Sequence, residues 1–485
     1  MDFDLLITGG TVITADSSTQ ADIGIKNGKI AAILPPHFAP TASNTPTLDA
    51  TGCYVMPGGI DAHEHLHMRT AVGRTADDWR SGTIAAALGG TTTLVDFVDM
   101  SPGEHMVDAL HLRISEATDA VIDYGLHMTI QPDLHPVDGV PKVISAARIA
   151  EIPAARAAGC ATFKMYTAYP NMQVQDGDLY RALTAIRSVD GLACIHAEHG
   201  DVIEGLREQA KWEIKHAKAG IENPQFPMLN EQFPASSAYW HNLTRPPWLE
   251  RESVQRVVAL AEMTGAQVLV FHLGCETAVN AIGEAKARGL SNVFGETCPQ
   301  YLVFTDDYLK RPDGRLWVCS PPLRSQADQD AMWHMLRSGT LDIISSDHCP
   351  FTVAQKDSGK DDFTQMPGGV PGIEVRMGVA HHFGVRTGKI TLQDWVRTCC
   401  TRPAELHRLS SKGRLAVGYD ADVVVFDPNI RQSLNQADLH STMDYSAYEN
   451  IAVQGWARDV VSRGDVIVRN QQFVGQVGRG AFIKR

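Results

Sequence analysis

From about residue 55 onward, the chain alternates short, fully apolar runs with longer stretches of helical periodicity such as 77–88, 178–186, 253–263 and 276–287. This alternation is typical of a parallel sheet with crossover helices, because such strands are buried on both faces. Eight units favour a closed (β/α)8 barrel of the TIM type. An open doubly wound sheet is disfavoured, since no Gly-x-Gly-x-x-Gly motif follows the first run. The predicted strands lie around residues 59–63, 93–97, 126–130, 162–166, 193–196, 268–272, 293–296 and 343–347.

Both ends of the chain have a different texture, with short strands joined by tight turns. Asn27-Gly28 between two strand-like runs is a strong hairpin signal. The stretch 35–46, rich in Pro, Ser and Thr, is predicted to be a surface loop. We therefore predict an α/β fold in which a TIM-like barrel at 57–404 carries a smaller β-sandwich domain. That domain is built from both chain ends, 1–56 and 405–485, and the second segment includes a C-terminal tail.

Composition excludes some classes of partner and favours a location. The net charge of -13 disfavours nucleic acid and anionic membrane surfaces, because both require a basic face. No apolar run reaches the roughly 18 residues of a membrane span, and the first residues are acidic where a secretory signal would be basic. The nine cysteines are scattered without a Cys-x-x-Cys pair, as in reduced intracellular proteins. We expect a cytoplasmic protein that acts on a small molecule.

Six side chains able to bind metal lie at or near the ends of five predicted strands. A single histidine there would be explained as a hydrogen-bonded structural residue. Six together at the end where barrels build active sites indicate a metal centre. Four imidazoles and one carboxylate suit zinc, manganese or iron better than calcium. The residues are His63, His65, Lys164, His196, His272 and Asp347.

Lys164 is the unusual member of this set, because it lies inside the apolar run 161–166. Burying an unpaired ammonium group is costly. Two metals require a bridging anion, which a lysine cannot supply in its ordinary form. A lysine carboxylated by carbon dioxide presents a carboxylate on a long stem and would explain the residue at this position.

With these residues in place, the sequence resembles the amidohydrolase superfamily, and within it the hydantoinase and dihydropyrimidinase family. The first matching string marks only the superfamily, whereas those at 296–301 and 320–324 together are specific to this branch. The matching strings are GGIDAHEH at 58–65, GGTTT at 89–93, FK at 163–164, HAE at 196–198, HL at 272–273, ETCPQY at 296–301, SPPLR at 320–324, SDHCP at 346–350, GRL at 413–415 and GYDAD at 418–422.

The resemblance implies a metal-dependent enzyme that opens cyclic amide rings, hydantoins and dihydropyrimidines, to N-carbamoyl amino acids. Two divalent metals, Zn²⁺ by preference with Mn²⁺ or Fe²⁺ as alternatives, would be bridged by N6-carboxylated Lys164 and by the attacking hydroxide. The first metal would be held by His63, His65 and Asp347, and the second by His196 and His272. The family further implies a homo-oligomer, a tetramer or a dimer.

The same resemblance assigns roles around the substrate. Asp347 would take a proton from the hydroxide and return it to the leaving ring nitrogen. Tyr169 would donate a hydrogen bond to the oxyanion. The backbone at Ser320 would bind the imide edge of the ring, and Gly368 would keep a backbone contact although many relatives have an Asn at this place.

Arg69 departs from the family pattern, since it and Thr70 stand where bacterial hydantoinases carry Pro and Phe. Arg69 either points to solvent or to a neighbouring subunit, or it faces the pocket and favours small, polar or acidic substituents on the ring.

Three alternative functions remain open from the sequence. A non-enzymatic assembly protein of the same family would have lost the metal residues, which this chain retains. Dihydroorotase resembles His-x-His-x-Arg, but His67 occupies the position of that arginine. Allantoinase, which opens another cyclic substrate of this kind, is the closest rival.

Overall fold

The barrel is an eight-stranded parallel sheet with neighbours in the order β17-β16-β15-β14-β13-β12-β11-β8. We describe it from a computed structural model, for residues 2–36, 45–101, 103–133, 143–217, 233–234 and 236–485. The strands are β1 Leu5–Thr8, β2 Thr11–Ile13, β3 Ser18–Gln20, β4 Asp22–Lys26, β5 Lys29–Leu34, β6 Thr47–Asp49, β7 Tyr54–Pro57, β8 Gly59–Asp61, β9 Arg69–Thr70, β10 Gly73–Arg74, β11 Thr91–Val98, β12 Asp123–Thr129, β13 Thr162–Tyr166, β14 Leu192–His196, β15 Gln267–Val270, β16 Val293–Thr297, β17 Ile343–Ile344, β18 Val423–Ser433, β19 Ala452–Ser462, β20 Asp465–Arg469 and β21 Gln472–Phe473.

Helices follow most barrel strands and cover the outside of the sheet. They are α1 Trp79–Leu88, α2 Met106–Glu116, α3 Ala146–Ala150, α4 Ile152–Ala158, α5 Asp176–Ser188, α6 Gly200–Ala217, α7 Tyr239–Leu243, α8 Pro247–Thr264, α9 Glu276–Ala287, α10 Pro299–Val303, α11 Gln326–Ser338, α12 Val353–Asp357, α13 Arg376–Val379, α14 Leu392–Val396 and α15 Arg402–Leu406.

Local sequence explains where several helices begin and end. Asp78 is the N-cap of α1. Its side chain accepts a hydrogen bond from the Ser81 backbone N–H, and the Ser81 hydroxyl accepts one from the Asp78 backbone N–H. Ser325 and Asp328 form the same capping box at α11. Gly265 ends α8 with a φ of 67°, a left-handed conformation that favours glycine.

Burial separates the barrel strands from those of the chain ends. Every residue of β11 is buried, as expected for a strand covered on both faces. In β5 exposed and buried residues alternate, as expected for a sheet with one face in water. The two hydrophobicity patterns in the sequence therefore correspond to two kinds of sheet, one buried on both faces and one with a face in water.

The chain ends form two sheets. A four-stranded sheet has the order β5-β4-β1-β6, and a seven-stranded sheet has the order β21-β20-β19-β18-β7-β2-β3. The Asn27-Gly28 turn joins β4 to β5, with Lys26 opposite Lys29, so the predicted hairpin is present. Antiparallel pairing of β7 with β18 joins the two ends of the chain. Apolar residues of both ends share one core, among them Ile23, Val55 and Val423. The predicted fold class, a barrel with a smaller sheet-rich domain, is confirmed.

The barrel is nearly closed at the end that carries the predicted site. The Asp347 backbone N–H donates to the His63 carbonyl at 2.8 Å, just beyond the ends of β17 and β8. Both strands are shorter than predicted, since β8 ends at Asp61 and β17 at Ile344. His63, His65 and Asp347 therefore lie on the segments that follow these strands.

The predicted loop at 35–46 lies mainly outside the described residues. No helix in the described part of the chain has both the length and the apolar character needed to cross a membrane.

Candidate metal centre and active site

One cavity of about 670 Å³ opens at the carboxyl ends of the barrel strands. Every residue predicted from sequence to bind metal or substrate lines this cavity. They are His63, His65, Arg69, Lys164, Tyr169, His196, His272, Ser320, Asp347 and Gly368.

The first ligand cluster is formed by His63, His65 and Asp347. One Asp347 carboxylate oxygen, Oδ1, lies 3.2 Å from His63 Nε2 and 3.4 Å from His65 Nε2. One potential ligand atom from each of the three residues lies within 4.8 Å of the others. Asp347 adopts a φ of 47°, which is uncommon outside glycine and typical of functional sites.

Glu296 fixes the orientation of the first cluster. Its Oε1 lies 2.7 Å from His63 Nδ1 and also accepts from the His272 backbone N–H at 3.0 Å. With Nδ1 directed at a carboxylate, His63 presents Nε2 to the cluster. Buried carboxylates commonly orient metal-binding histidines in this way.

The second ligand pair is His196 and His272, whose Nδ1 and Nε2 atoms lie 2.9 Å apart. His196 Nε2 is 2.8 Å from Glu198, and Glu198 in turn accepts from Arg245 at 2.6 Å. Burial lowers the pKa of both imidazoles, which favours the neutral form that binds metal. Although burial opposes it, the Arg245 guanidinium holds the pKa of the Glu198 carboxyl well below its usual range.

Lys164 lines the same cavity as the two groups and is surrounded by aromatic rings. Its Nζ is 4.1 Å from the centre of the Phe271 ring and 4.8 Å from that of Tyr166. It is 1% exposed and forms no salt bridge with any carboxylate among the described residues. Burial lowers the pKa of this amine to about 8, against the opposing charges of Asp347 and Glu296. A buried amine without a counter-ion is readily available for carboxylation, because its neutral form is accessible.

These observations fit a pair of divalent cations. Two imidazole nitrogens face each other at 2.9 Å in the second pair, and two more converge on one carboxylate oxygen in the first. The buried Nδ1 atoms of His65 and His272 have no hydrogen-bond partner. This donor set suits Zn²⁺, Mn²⁺ or Fe²⁺.

Tyr169 and Ser320 approach the metal cluster from the cavity wall. Tyr169 has a φ of 68°, and its ring centre lies 4.9 Å from that of His196. Burial raises the pKa of its hydroxyl, so this group remains a hydrogen-bond donor. Ser320 Oγ lies 3.2 Å from His241 Nε2. Gly368 is close by, since a Cβ added there would lie 3.6 Å from Ser320 Oγ.

Arg69 belongs to a short hairpin, β9–β10, at the cavity mouth. The residue is exposed and lines the same cavity as the metal ligands. Both positions predicted for it, in solvent and beside the substrate, are therefore compatible with this placement.

Another group of potential metal ligands, two histidines and a cysteine, does not line the cavity. It consists of His127, Cys194 and His407, all buried. His127 Nε2 is 2.9 Å from the Ala62 carbonyl and His407 Nδ1 is 2.9 Å from the Pro403 carbonyl. These contacts are those of hydrogen-bonded residues in the barrel core.

A model of the amidohydrolase family matches residues 54–467. The chain belongs to the amidohydrolase family.

Its relatives place this amidohydrolase in the predicted branch. It is 41% identical to the D-hydantoinase of Geobacillus stearothermophilus over 99% of this chain and 96% of that protein. It is 38% identical to the D-hydantoinase of Rhizobium radiobacter, over 99% of both. Among solved structures, the dihydropyrimidinase from Brevibacillus agri superposes with a TM-score of 0.90 at 38% identity, over 99% of this chain and 98% of that chain. The predicted membership of the hydantoinase and dihydropyrimidinase family is confirmed.

Sequence reasoning did not assign roles to four residues of this amidohydrolase site. Glu296 and Glu198 orient ligand histidines, and both stand in the matching strings, so the signal was present. Arg245 and His241 had no comparable signal, because the residues around them match no string noted in the sequence. Their contacts with Glu198 and Ser320 appear only in the folded chain.

Proposed function

We propose that this amidohydrolase opens hydantoin and dihydropyrimidine rings to N-carbamoyl amino acids at a centre of two divalent metals. Zn²⁺ is our first choice of metal, with Mn²⁺ and Fe²⁺ as alternatives. The observation that supports the proposal most is the convergence of four imidazoles, Asp347 and an unpaired buried Lys164 on one cavity. The relatives named D-hydantoinase and dihydropyrimidinase support the same substrate class.

We assign the metal ligands as His63, His65 and Asp347 for one ion and His196 and His272 for the other, with Lys164 carboxylated on Nζ between them. When bound, such a pair lowers the pKa of a water toward neutrality and polarises the substrate carbonyl. Glu296 orients His63 and Glu198 orients His196, so these two rings would need little reorganisation on metal binding.

Asp347 is our candidate for proton transfer. Its Oδ1 lies among the ligand nitrogens while the residue borders the cavity, so it can reach both a nucleophilic water and a ring nitrogen. It would accept the proton of the water as the carbon–oxygen bond forms. It would then deliver this proton to the nitrogen as the ring carbon–nitrogen bond breaks.

Tyr169 is our candidate for stabilising the oxyanion. Its buried hydroxyl is protonated and borders the same cavity, and fixed donors of this kind act where charge develops in the transition state. Backbone groups of Ser320 and Gly368, which line the same cavity, would bind the imide edge of the ring. Arg69 at the mouth would contact the exocyclic substituent.

We further propose a cytoplasmic homo-oligomer, a tetramer or a dimer. All nine cysteines are free and buried, which suits a reducing compartment. Size-exclusion chromatography with light scattering measures the oligomeric state directly.

A substrate panel tests the proposed function. Purified enzyme with measured metal content is offered hydantoin, dihydrouracil, substituted hydantoins, cyclic imides and allantoin. Ring opening of hydantoin and dihydrouracil at two metals per chain supports the proposal. Turnover of allantoin alone would make the enzyme an allantoinase. Absence of any ring opening at full metal content would refute hydrolysis of this substrate class.

A further inference from the structure

Helix α12 begins a few residues after Asp347, and its residues do not themselves line the cavity. Thr352 begins the helix through a capping box with Gln355. Two neighbouring side chains of this helix, Gln355 and Lys356, donate to backbone carbonyls of different segments that carry cavity residues.

Lys356 holds the two segments that carry Ser320 and Gly368. Its ammonium is fully buried and donates to the carbonyls of Val318 at 3.1 Å, Pro367 at 2.8 Å and Gly369 at 2.7 Å. These carbonyls lie within two residues of Ser320 on one segment and next to Gly368 on the other. No salt bridge involves Lys356 among the described residues, so the three carbonyls satisfy it.

Lys356 supplies three contacts at the junction of these two segments. The Gly369 backbone N–H donates to the Val318 carbonyl at 2.8 Å and ties the segments directly. Burial lowers the pKa of the Lys356 amine to about 7, and only a protonated amine can donate to all three carbonyls at once. A lysine without a carboxylate partner at this depth is costly. Its retention is explained if the spacing of the two segments matters.

Gln355 holds the hairpin that carries Arg69. Its Nε2 donates to the Arg74 carbonyl at 2.7 Å and to the Val72 carbonyl at 3.3 Å. Its Oε1 accepts from the Thr352 backbone N–H at 2.9 Å, which fixes the amide orientation. The hairpin pairs Arg69 with Arg74 and Thr70 with Gly73, and the Arg74 guanidinium donates to the His67 carbonyl at 2.9 Å.

We propose that Gln355 and Lys356 are positioning residues with separate tasks in substrate recognition. Lys356 sets the spacing of the Ser320 and Gly368 backbone groups and so controls affinity for the ring itself. Gln355 sets the position of the β9–β10 hairpin and so controls preference for the substituent. This inference rests on the proposed function, which gives those backbone groups and Arg69 their roles.

The experiment compares Lys356→Met, Gln355→Leu and the control Asp357→Asn on hydantoin, dihydrouracil, a phenyl-substituted hydantoin and one with an acidic arm. Asp357 lies on the same helix, but its side chain forms a salt bridge with Arg315 and not a contact with the carbonyls that Gln355 and Lys356 hold. Lys356→Met is expected to raise KM for every ring by about 10- to 100-fold with a much smaller change in kcat. Gln355→Leu is expected to leave the unsubstituted rings within about twofold and to change the ranking of the substituted ones by about fivefold or more. Asp357→Asn is expected to match wild type.

Metal content and thermal unfolding of each variant show that a changed KM does not come from a lost centre or a partly unfolded chain. Lys356→Gln, which keeps one amide donor, provides an intermediate variant if Lys356→Met does not fold, and its KM is expected to rise less for the same rings. The inference is overturned if a folded Lys356 variant keeps wild-type KM for unsubstituted rings. It is also overturned if Gln355→Leu shifts the substituted and unsubstituted rings equally.

The outcome for wild type separates this inference from the proposed function. Failure of wild type to open any of the rings counts against the function. The positioning roles are judged only by ratios of variant to wild type on rings that the wild type opens.

Discussion

At the scale of single residues, the site is defined by how each ligand is held. His63 and His196 each have one nitrogen directed at a buried carboxylate, Glu296 and Glu198, while the other nitrogen faces a neighbouring ligand. A histidine held in this way has a fixed tautomer and ring orientation. The imidazoles of this protein are therefore oriented for metal before any metal binds.

Replacement of Lys164 tests the proposed bridge. Lys164→Ala is expected to lose activity and to bind fewer than two metals per chain, because the bridging carboxylate is gone. Short carboxylic acids added together with metal are expected to restore part of the activity by filling the space. Elemental analysis and turnover measure both effects. A well-resolved electron-density map with a bare lysine amine beside two fully occupied metals would contradict the proposal.

The low pKa of Lys164 predicts how reconstitution depends on pH. Carbon dioxide reacts with the neutral amine, and burial lowers the pKa of this amine to about 8. The neutral fraction therefore rises as pH increases through about 8, and carboxylation should become faster in that direction. Reactivation of metal-free enzyme by Zn²⁺ is expected to require bicarbonate and, at a constant concentration of dissolved carbon dioxide, to accelerate between pH 7 and about 8.5. A rate independent of bicarbonate would argue against a carboxylated lysine.

Proton transfer and oxyanion stabilisation predict different costs for two substitutions. Asp347→Asn is expected to lower kcat by several orders of magnitude, because it removes both a metal ligand and the proton carrier. Tyr169→Phe removes one donor and is expected to cost on the order of 10²–10³ in kcat. Steady-state kinetics at matched metal content distinguishes the two. A near wild-type rate for Asp347→Asn would place the proton carrier elsewhere.

At the scale of elements, the β9–β10 hairpin is one part of the site in which this chain differs from the family pattern, and Gly368 is another. The hairpin places Arg69 at the cavity mouth, where relatives carry an apolar residue that can cover an aromatic substituent. An exposed guanidinium there attracts anions more strongly than neutral groups. If Arg69 faces the substrate, we expect the hairpin to favour polar or acidic substituents over phenyl groups.

The substrate ranking tests this view of the hairpin. Wild type is expected to prefer a ring with an acidic arm over the phenyl-substituted ring in kcat/KM. Arg69→Ala is expected to reduce that preference by about tenfold, the effect of one charge-assisted contact. Thr70→Ala, which keeps the arginine, serves as the matched control. If Arg69→Ala leaves the ranking unchanged, Arg69 points to solvent and does not determine specificity.

At the scale of the whole molecule, the metal centre joins strands from across the barrel. Its proposed ligands follow or belong to β8, β13, β14, β15 and β17, so bound metal would link five strands of one sheet. Ligands that bind only the folded state stabilise it by mass action. Without metal, the Nδ1 atoms of His65 and His272 and the Lys164 amine remain buried without a hydrogen-bond or salt-bridge partner among the described residues.

Removal of the metals therefore tests the centre as a structural unit. Chelation is expected to lower Tm by several degrees and to abolish turnover, and metal with bicarbonate is expected to restore both. Active enzyme is expected to contain two metals per chain by elemental analysis. One metal or none in fully active enzyme would contradict the binuclear centre.

Periodicity and motifs predicted the barrel and the sheets of the chain ends, and they supplied the residues of the proposed site. Periodicity is local information, and it reports whether a strand is buried on one face or on two, as in β5 and β11. The ligand types could also be read locally, because barrels place functional residues at the same end of every strand. Their grouping in one cavity follows from that rule together with barrel closure.

Only the tertiary structure decided which groups hold the ligands and loops in place. Glu296 contacts His63 from a position 233 residues away, and Arg245 reaches Glu198 across 47 residues. The Lys356 contacts connect segments that no periodicity relates. Such pairings depend on the length and packing of the intervening helices and loops, which fix distances in space that local patterns do not encode. The predicted ends of two strands were wrong for a related reason. Strands β8 and β17 end before His63 and Asp347, whose backbones meet where the barrel closes.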